Sequence, residues 1–79
     1  MKLSVYTIQN TLFLGTVEKI IAKTAMGEIT VLENHLPLIT LLQGPVIEIE
    51  KEGRRELIPV ESGFLEVQPE SEVVVLADG

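Results

Sequence analysis

The segment Val46-Ile47-Glu48-Ile49-Glu50-Lys51-Glu52-Gly53-Arg54-Arg55-Glu56-Leu57-Ile58-Pro59-Val60 decides the fold class. In its first half Ile47 and Ile49 alternate with Glu48 and Glu50, the period of two that a half-buried β-strand produces. Its second half returns with Leu57 among charged neighbours, after a turn at Glu52-Gly53-Arg54. The pair reads as a β-hairpin whose loop is a little longer than two residues.

The same reading extends in both directions. Lys2 to Ile8 sets Leu3 and Val5 against Ser4 and Tyr6, and Val17 to Lys23 is rich in β-branched side chains. Gly63 to Gln68 and Glu72 to Ala77 form a last strand pair, with Pro69-Glu70-Ser71 as the turn between them. Leu36 to Leu42 fits either a helical turn or a buried strand, and Pro37 with the lack of flanking caps favours the strand. Gly15, Gly27, Gly44, Gly53 and Gly63 punctuate the chain at roughly ten-residue intervals, as in a small antiparallel sandwich. No segment has the length and 3.6-residue period of a stable helix. The expectation is one all-β domain over residues 1–79, a small antiparallel β-sandwich or flattened barrel of about eight to ten short strands.

Composition narrows the function classes. Seventy-nine residues with 46% apolar content fill one core and leave little material for a catalytic cleft. Without cysteine there is no disulfide, thiolate metal site or cysteine nucleophile. Twelve acids against six bases give a net charge of −6, which repels a phosphate backbone, so nucleic acid is not an expected partner. Polar residues interrupt Met1 to Gln9, unlike a signal peptide, and no run of 18 apolar residues occurs, so no direct membrane insertion is expected.

The only histidine, His35, lies beside Glu33 and Asn34. With Glu28 and Glu33 it makes too thin a ligand set for a metal, and no serine stands in a nucleophile-elbow context. Paired acids such as Glu48 and Glu50 read as the solvated face of a sheet. No phosphate-loop spacing occurs. Gly27 and Gly63 read as structural turn residues, Gly63 for a positive φ or a close backbone approach. Taken residue by residue, the chain is an acidic binding or assembly module with no catalytic residue, metal or cofactor expected. A ligand-binding sandwich for carbohydrate is an alternative, weakened by only three aromatics, Tyr6, Phe13 and Phe64.

Four motifs then stand in one order. They are Leu12-Phe13-x-Gly15-x-Val17-Glu18, Gly27-Glu28-Ile29-x-Val31-Leu32-x-x-His35-x-Pro37-Leu38-x-Thr40, Ser62-Gly63-Phe64-Leu65-Glu66-Val67 and Val73-Val74-Val75-Leu76-Ala77-Asp78. Together they resemble the signature of the ATP synthase ε subunit family, called δ in mitochondria. Glu33-Asn34 replaces that family's Pro-Gly, so the turn before His35 is expected to use Asn34 at positive φ. The resemblance implies a non-catalytic rotor subunit at the cytoplasmic face of an energy-coupling membrane, or its organellar equivalent. It would link the γ subunit to the polar loops of the c-ring; the acidic charge, for its part, favours a monomer when the chain is isolated. It implies a c-ring contact at Glu28, and γ contacts at His35, Thr40 and Thr7, with Leu38 and Leu42 as apolar contacts or core. The two helices that follow the sandwich in the family would begin where the chain stops, so the ATPase inhibition they carry is expected to be missing.

Overall fold

A computed structural model describes residues 1–78, all strand, turn and loop. The strands are β1 (Lys2–Tyr6), β2 (Thr11–Thr16), β3 (Lys19–Thr24), β4 (Gly27–Leu32), β5 (Leu38–Lys51), β6 (Arg54–Pro59), β7 (Ser62–Gln68) and β8 (Glu72–Ala77). They hydrogen-bond in the order β2-β1-β8-β7-β5-β3-β4, with β6 also on β5. The expected all-β class and strand number are borne out, and Leu36 to Leu42 resolves as strand from Leu38 onward.

The fourteen-residue β5 lets one hydrogen-bonded sheet fold over on itself. Its first half pairs β7 and its second half pairs β6, while β3 lies along its other edge. The inward positions of the two halves then face each other. Leu3, Val5, Leu65, Val67, Val73 and Val75 come from one half, and Ile20, Val31, Ile47, Ile49 and Ile58 from the other, in a single cluster. Each obeys the two-residue period, so the alternation read from the sequence is the sidedness of the sandwich.

Two details differ from expectation. Strands β1 and β8 pair in parallel, Leu3 opposite Val73 and Val5 opposite Val75, whereas every other pair is antiparallel. First and last strands of a chain have the whole domain as their crossover, so a parallel pairing needs no tight turn. The β5–β6 loop has two residues, not more, because Lys51 pairs directly with Arg54. Glu52 and Gly53 take φ of 52° and 75°. Positive φ at both central residues suits the right-handed twist of the strands, but it is costly for a glutamate. Glu18 offsets that cost: its carboxylate accepts hydrogen bonds from the backbone N–H groups of Glu52 (3.0 Å) and Gly53 (3.2 Å). The Val17-Glu18 motif therefore joins a core side chain to a turn clamp 34 residues away.

Gly63 lies inside β7 rather than in a turn, opposite Ala77. Its φ is 152°, and a Cβ there would fall on the Leu76 carbonyl oxygen and within 2.9 Å of Ala77 Cα. The expected close approach is the reason for glycine. Replacing Gly63 by alanine should cost about 3 kcal/mol or more, since backbone on β8 must move. Glu18→Ala should cost about 1 kcal/mol, as loss of a capping carboxylate does. Urea unfolding followed by circular dichroism would rank the two, and an equal effect would refute this account of Gly63.

Candidate protein interface

Folding over leaves two outer faces made of different chemistry. On β3, the second half of β5 and β6, charged side chains pair with one another. Lys19 Nζ lies 3.6 Å from Glu50 Oε2, and Arg55 Nε lies 3.4 Å from Glu48 Oε1. This is the solvated face that Glu48 and Glu50 announced.

The opposite face, on β1, β7, β8 and the first half of β5, is apolar. The register places Leu41 beside Phe64, Phe64 beside Leu76 and Leu76 beside Tyr6, a row crossing four strands. Leu41, Phe64 and Leu76 are 58%, 51% and 55% exposed. The next row runs Ile39, Glu66, Val74, Ser4 and Leu14. Ile39 and Leu14 are also exposed. Contiguous exposed apolar surface on a small domain marks a contact surface.

A third feature sits at one end. The β3–β4 turn is closed by the Thr24 hydroxyl, which donates to the Gly27 carbonyl (2.8 Å) and accepts from the Met26 N–H (3.2 Å). Met26 at its tip is 98% exposed. Gly27, with φ 117°, serves as the turn residue expected of it. Glu28 follows as the second residue of β4 rather than in a loop, exposed and opposite Lys23.

The remaining expected contact residues are scattered. His35 is half-buried in the loop before β5, and its Nδ1–H donates to the Leu36 carbonyl at 2.6 Å. Asn34 beside it takes φ 63°, as expected for the residue that replaces glycine. Its N–H donates to Ser71 Oγ, tying this loop to the β7–β8 turn. Thr7 closes the β1–β2 turn, where its hydroxyl accepts from the Asn10 N–H (2.9 Å). Leu38 and Thr40 lie on the inward side of β5 and are half-buried, and Leu42, at 3% exposure, is core. Leu42 therefore has no surface to offer a partner. The exposed large apolar residues of that strand are Ile39 and Leu41, which sequence reasoning missed. A signal existed: Ile39, Leu41, Phe64 and Leu76 are apolar where an outer face would carry charge as Glu48 and Glu50 do.

No group of three or more His, Asp or Glu side chains among the described residues could hold a metal ion. His35, Glu28 and Glu33 do not converge. Glu33 serves another purpose: its carboxylate accepts from the Met1 ammonium at 2.8 Å, and the same ammonium donates to the Val17 carbonyl at 2.9 Å.

Comparisons with known proteins show the family and the fold. Residues 1–79 match the family model for the ATP synthase delta/epsilon chain, β-sandwich domain, and the chain belongs to that family. It is 44% identical to the ATP synthase epsilon chain of Acinetobacter baumannii strain SDF, covering 99% of this chain and 56% of the relative. Identity to the Helicobacter pylori strain Shi470 epsilon chain is 40%, over 100% of this chain and 63% of the relative. The chain thus spans somewhat more than half the length of these relatives. Its fold superposes on a chain of the Euglena gracilis mitochondrial ATP synthase with a TM-score of 0.86 at 24% identity, covering 95% of this chain and 48% of that one. For the central stalk and c-ring of the Tetrahymena thermophila mitochondrial enzyme the TM-score is 0.81 at 13% identity, over 99% of this chain and 63% of that one. The resemblance read from four ordered motifs is borne out at the level of the family.

The Glu33 contact carries a pH dependence. Hydrogen bonds from the Met1 ammonium and then from Ser71 hold its carboxyl below the ordinary carboxylate value. A carboxyl whose pKa is lowered on folding adds stability above its unfolded pKa, and loses it as pH falls through the folded one. In the 79-residue chain, Glu33→Gln should therefore lower Tm at neutral pH, and the difference should vanish in acid below the glutamate range. A Tm gap that persists unchanged into that acid range would refute the pairing.

Proposed function

We propose that this chain is the sandwich domain of a non-catalytic rotor subunit of ATP synthase. In this reading it links the γ subunit to the polar loops of the c-ring, and so helps couple proton translocation to ATP synthesis. It would sit as a peripheral component at the cytoplasmic face of the energy-coupling membrane, or at the organellar equivalent. Family membership supports this, as do the central-stalk and c-ring assemblies in which similar folds occur.

The observation that carries the reading is the division of the surface. One outer face is charged and internally paired, the other is apolar, and an exposed methionine caps one end beside a carboxylate. A linker that must hold two partners at once needs two separate contact surfaces on a rigid body. Glu28 is assigned to the ring, where its exposed carboxylate would meet cationic or amide groups of the polar loops, with Met26 as the neighbouring apolar contact. Glu28 takes part in no ion pair within the chain among the described residues. The γ side is assigned to the far larger apolar face, with His35 and Thr7 at opposite ends of the same strand group.

Charge reversal at Glu28 separates the two contacts. Glu28→Lys should weaken attachment of the γ–ε unit to isolated c-rings by roughly tenfold or more, the effect of placing a like charge against a complementary site. Binding to γ alone should be unchanged. Ring attachment in a pull-down at low salt is the measurement, and normal attachment of the variant would refute the assignment.

A further inference from the structure

We propose that, in the 79-residue chain, the α-amino group of Met1 is an acylation-sensitive fastener. As an ammonium it ties the Glu33-Asn34-His35 loop and the β7–β8 turn to the start of β1. Conversion to an amide by a formyl or acetyl group releases them.

The amino end of a chain ordinarily frays into water. Met1 instead is only 8% exposed, and it belongs to the core cluster. Its carbonyl accepts from the Val17 N–H at 2.8 Å, while its ammonium donates to the Val17 carbonyl at 2.9 Å. A second ammonium hydrogen goes to the Glu33 carboxylate at 2.8 Å. The junction continues through the next residue. The Lys2 N–H donates to the Ser71 carbonyl at 2.9 Å. Ser71 Oγ accepts from the Asn34 N–H and donates to Asn34 Oδ1, each at 3.3 Å. Asn34, Glu70 and Ser71 take φ of 63°, 65° and 57°. Residues other than glycine keep such a conformation where their surroundings fix it, and here Met1 and Lys2 supply the fixing bonds.

The donor count makes the junction sensitive to acylation. An ammonium offers three hydrogens and a full charge, and a buried charge is tolerated when it is paired and hydrogen-bonded. An N-acyl amide keeps one N–H, carries no charge and adds a carbonyl oxygen. It cannot serve the Val17 carbonyl and the Glu33 carboxylate together, so one acceptor loses its donor. In the reaction the neutral amine attacks the acyl carbon of an activated acyl donor. The bond to the leaving group breaks, and the proton from nitrogen passes to solvent. The folded chain guards the amine against this step, so the fastener registers acylation that precedes folding. Glu33 stands where the family pattern has proline, so the acceptor is a feature of this chain and not of that pattern.

The test is labelling of the 79-residue chain with acetic anhydride at neutral pH, read by peptide mass spectrometry. In an unfolded chain an α-amine loses its proton at about 7.7–8 and lysine at about 10.4, so the α-amine is labelled first. Folding should reverse the order, so that exposed Lys23 reacts before Met1. Met1 should be protected at least about tenfold relative to the chain in guanidinium, as a buried group is. Glu33→Ala should return most of that reactivity. A synthetic chain acetylated at Met1 alone should have a lower Tm and faster hydrogen exchange at the Asn34 and His35 amides. Its loss in Tm should be smaller in the Glu33→Ala background, because interacting groups are not additive. Met1 labelled as readily in the folded chain as in the unfolded one would overturn the proposal. So would an acetylated chain with unchanged Tm and unchanged exchange at those two amides. An equal loss in Tm with and without Glu33 would overturn Glu33 as the partner. Should the acetylated chain fail to fold, the labelling order in the unmodified chain and in Glu33→Ala still decides.

Discussion

The structure depends on the continuous backbone ladder of β5. Fourteen residues from Leu38 to Lys51 pair with β7, β3 and β6, so this one strand belongs to both halves of the folded sheet. A domain this small has a large surface for its volume, so its stability margin is narrow. Threading one strand through both halves satisfies backbone groups on each side, and sets the two apolar inner surfaces against each other without a separate linker. The burial of Leu65, Val67, Ile47 and Ile49 follows from where β5 lies.

The remaining contacts tie loops back to this frame. The carboxylate of Glu18 reaches the β5–β6 turn, Asn34 and Ser71 join the loop before β5 to the β7–β8 turn, and Ser62 holds Asp78. Each link spans 16 residues or more of sequence. Their value is less in energy than in holding the turns still, since exposed hydrogen bonds of this kind contribute little each.

The family's glycine and acid positions acquire physical roles in this light. Gly63 admits the close approach of β8, and Gly27 closes the turn that presents Met26 and Glu28. Val17 and Glu18 bind core to turn. At Glu33-Asn34 the chain departs from the family pattern, and the structure shows how it does so without harm: Asn34 adopts the positive φ, and Glu33 pairs with an ammonium group.

How much was legible in the sequence differs from feature to feature. Strands with one solvated face announced themselves, because Glu48 and Glu50 alternate with Ile47 and Ile49 wherever water covers one side. Strand β2, Thr11-Leu12-Phe13-Leu14-Gly15-Thr16, gave no such pattern, since Leu12 and Leu14 stay exposed while Phe13 packs inward. The same ambiguity hid the exposed apolar face. In Leu38-Ile39-Thr40-Leu41-Leu42 both faces are largely apolar, so periodicity cannot say which side is core, and contact roles fell on the buried phase. Local sequence by itself determined the β class, the positions of most turns, the absence of a basic or thiol-based site, and, through four ordered motifs, the family. Only the tertiary structure decided which side of each apolar strand faces water, that the first and last strands pair in parallel, and that the hairpin loop is two residues long. The first two outcomes depend on pairings between residues far apart in the chain, which no local pattern of side chains encodes, and the loop length turns on Lys51 pairing with Arg54, a register that the charged residues around Gly53 leave open.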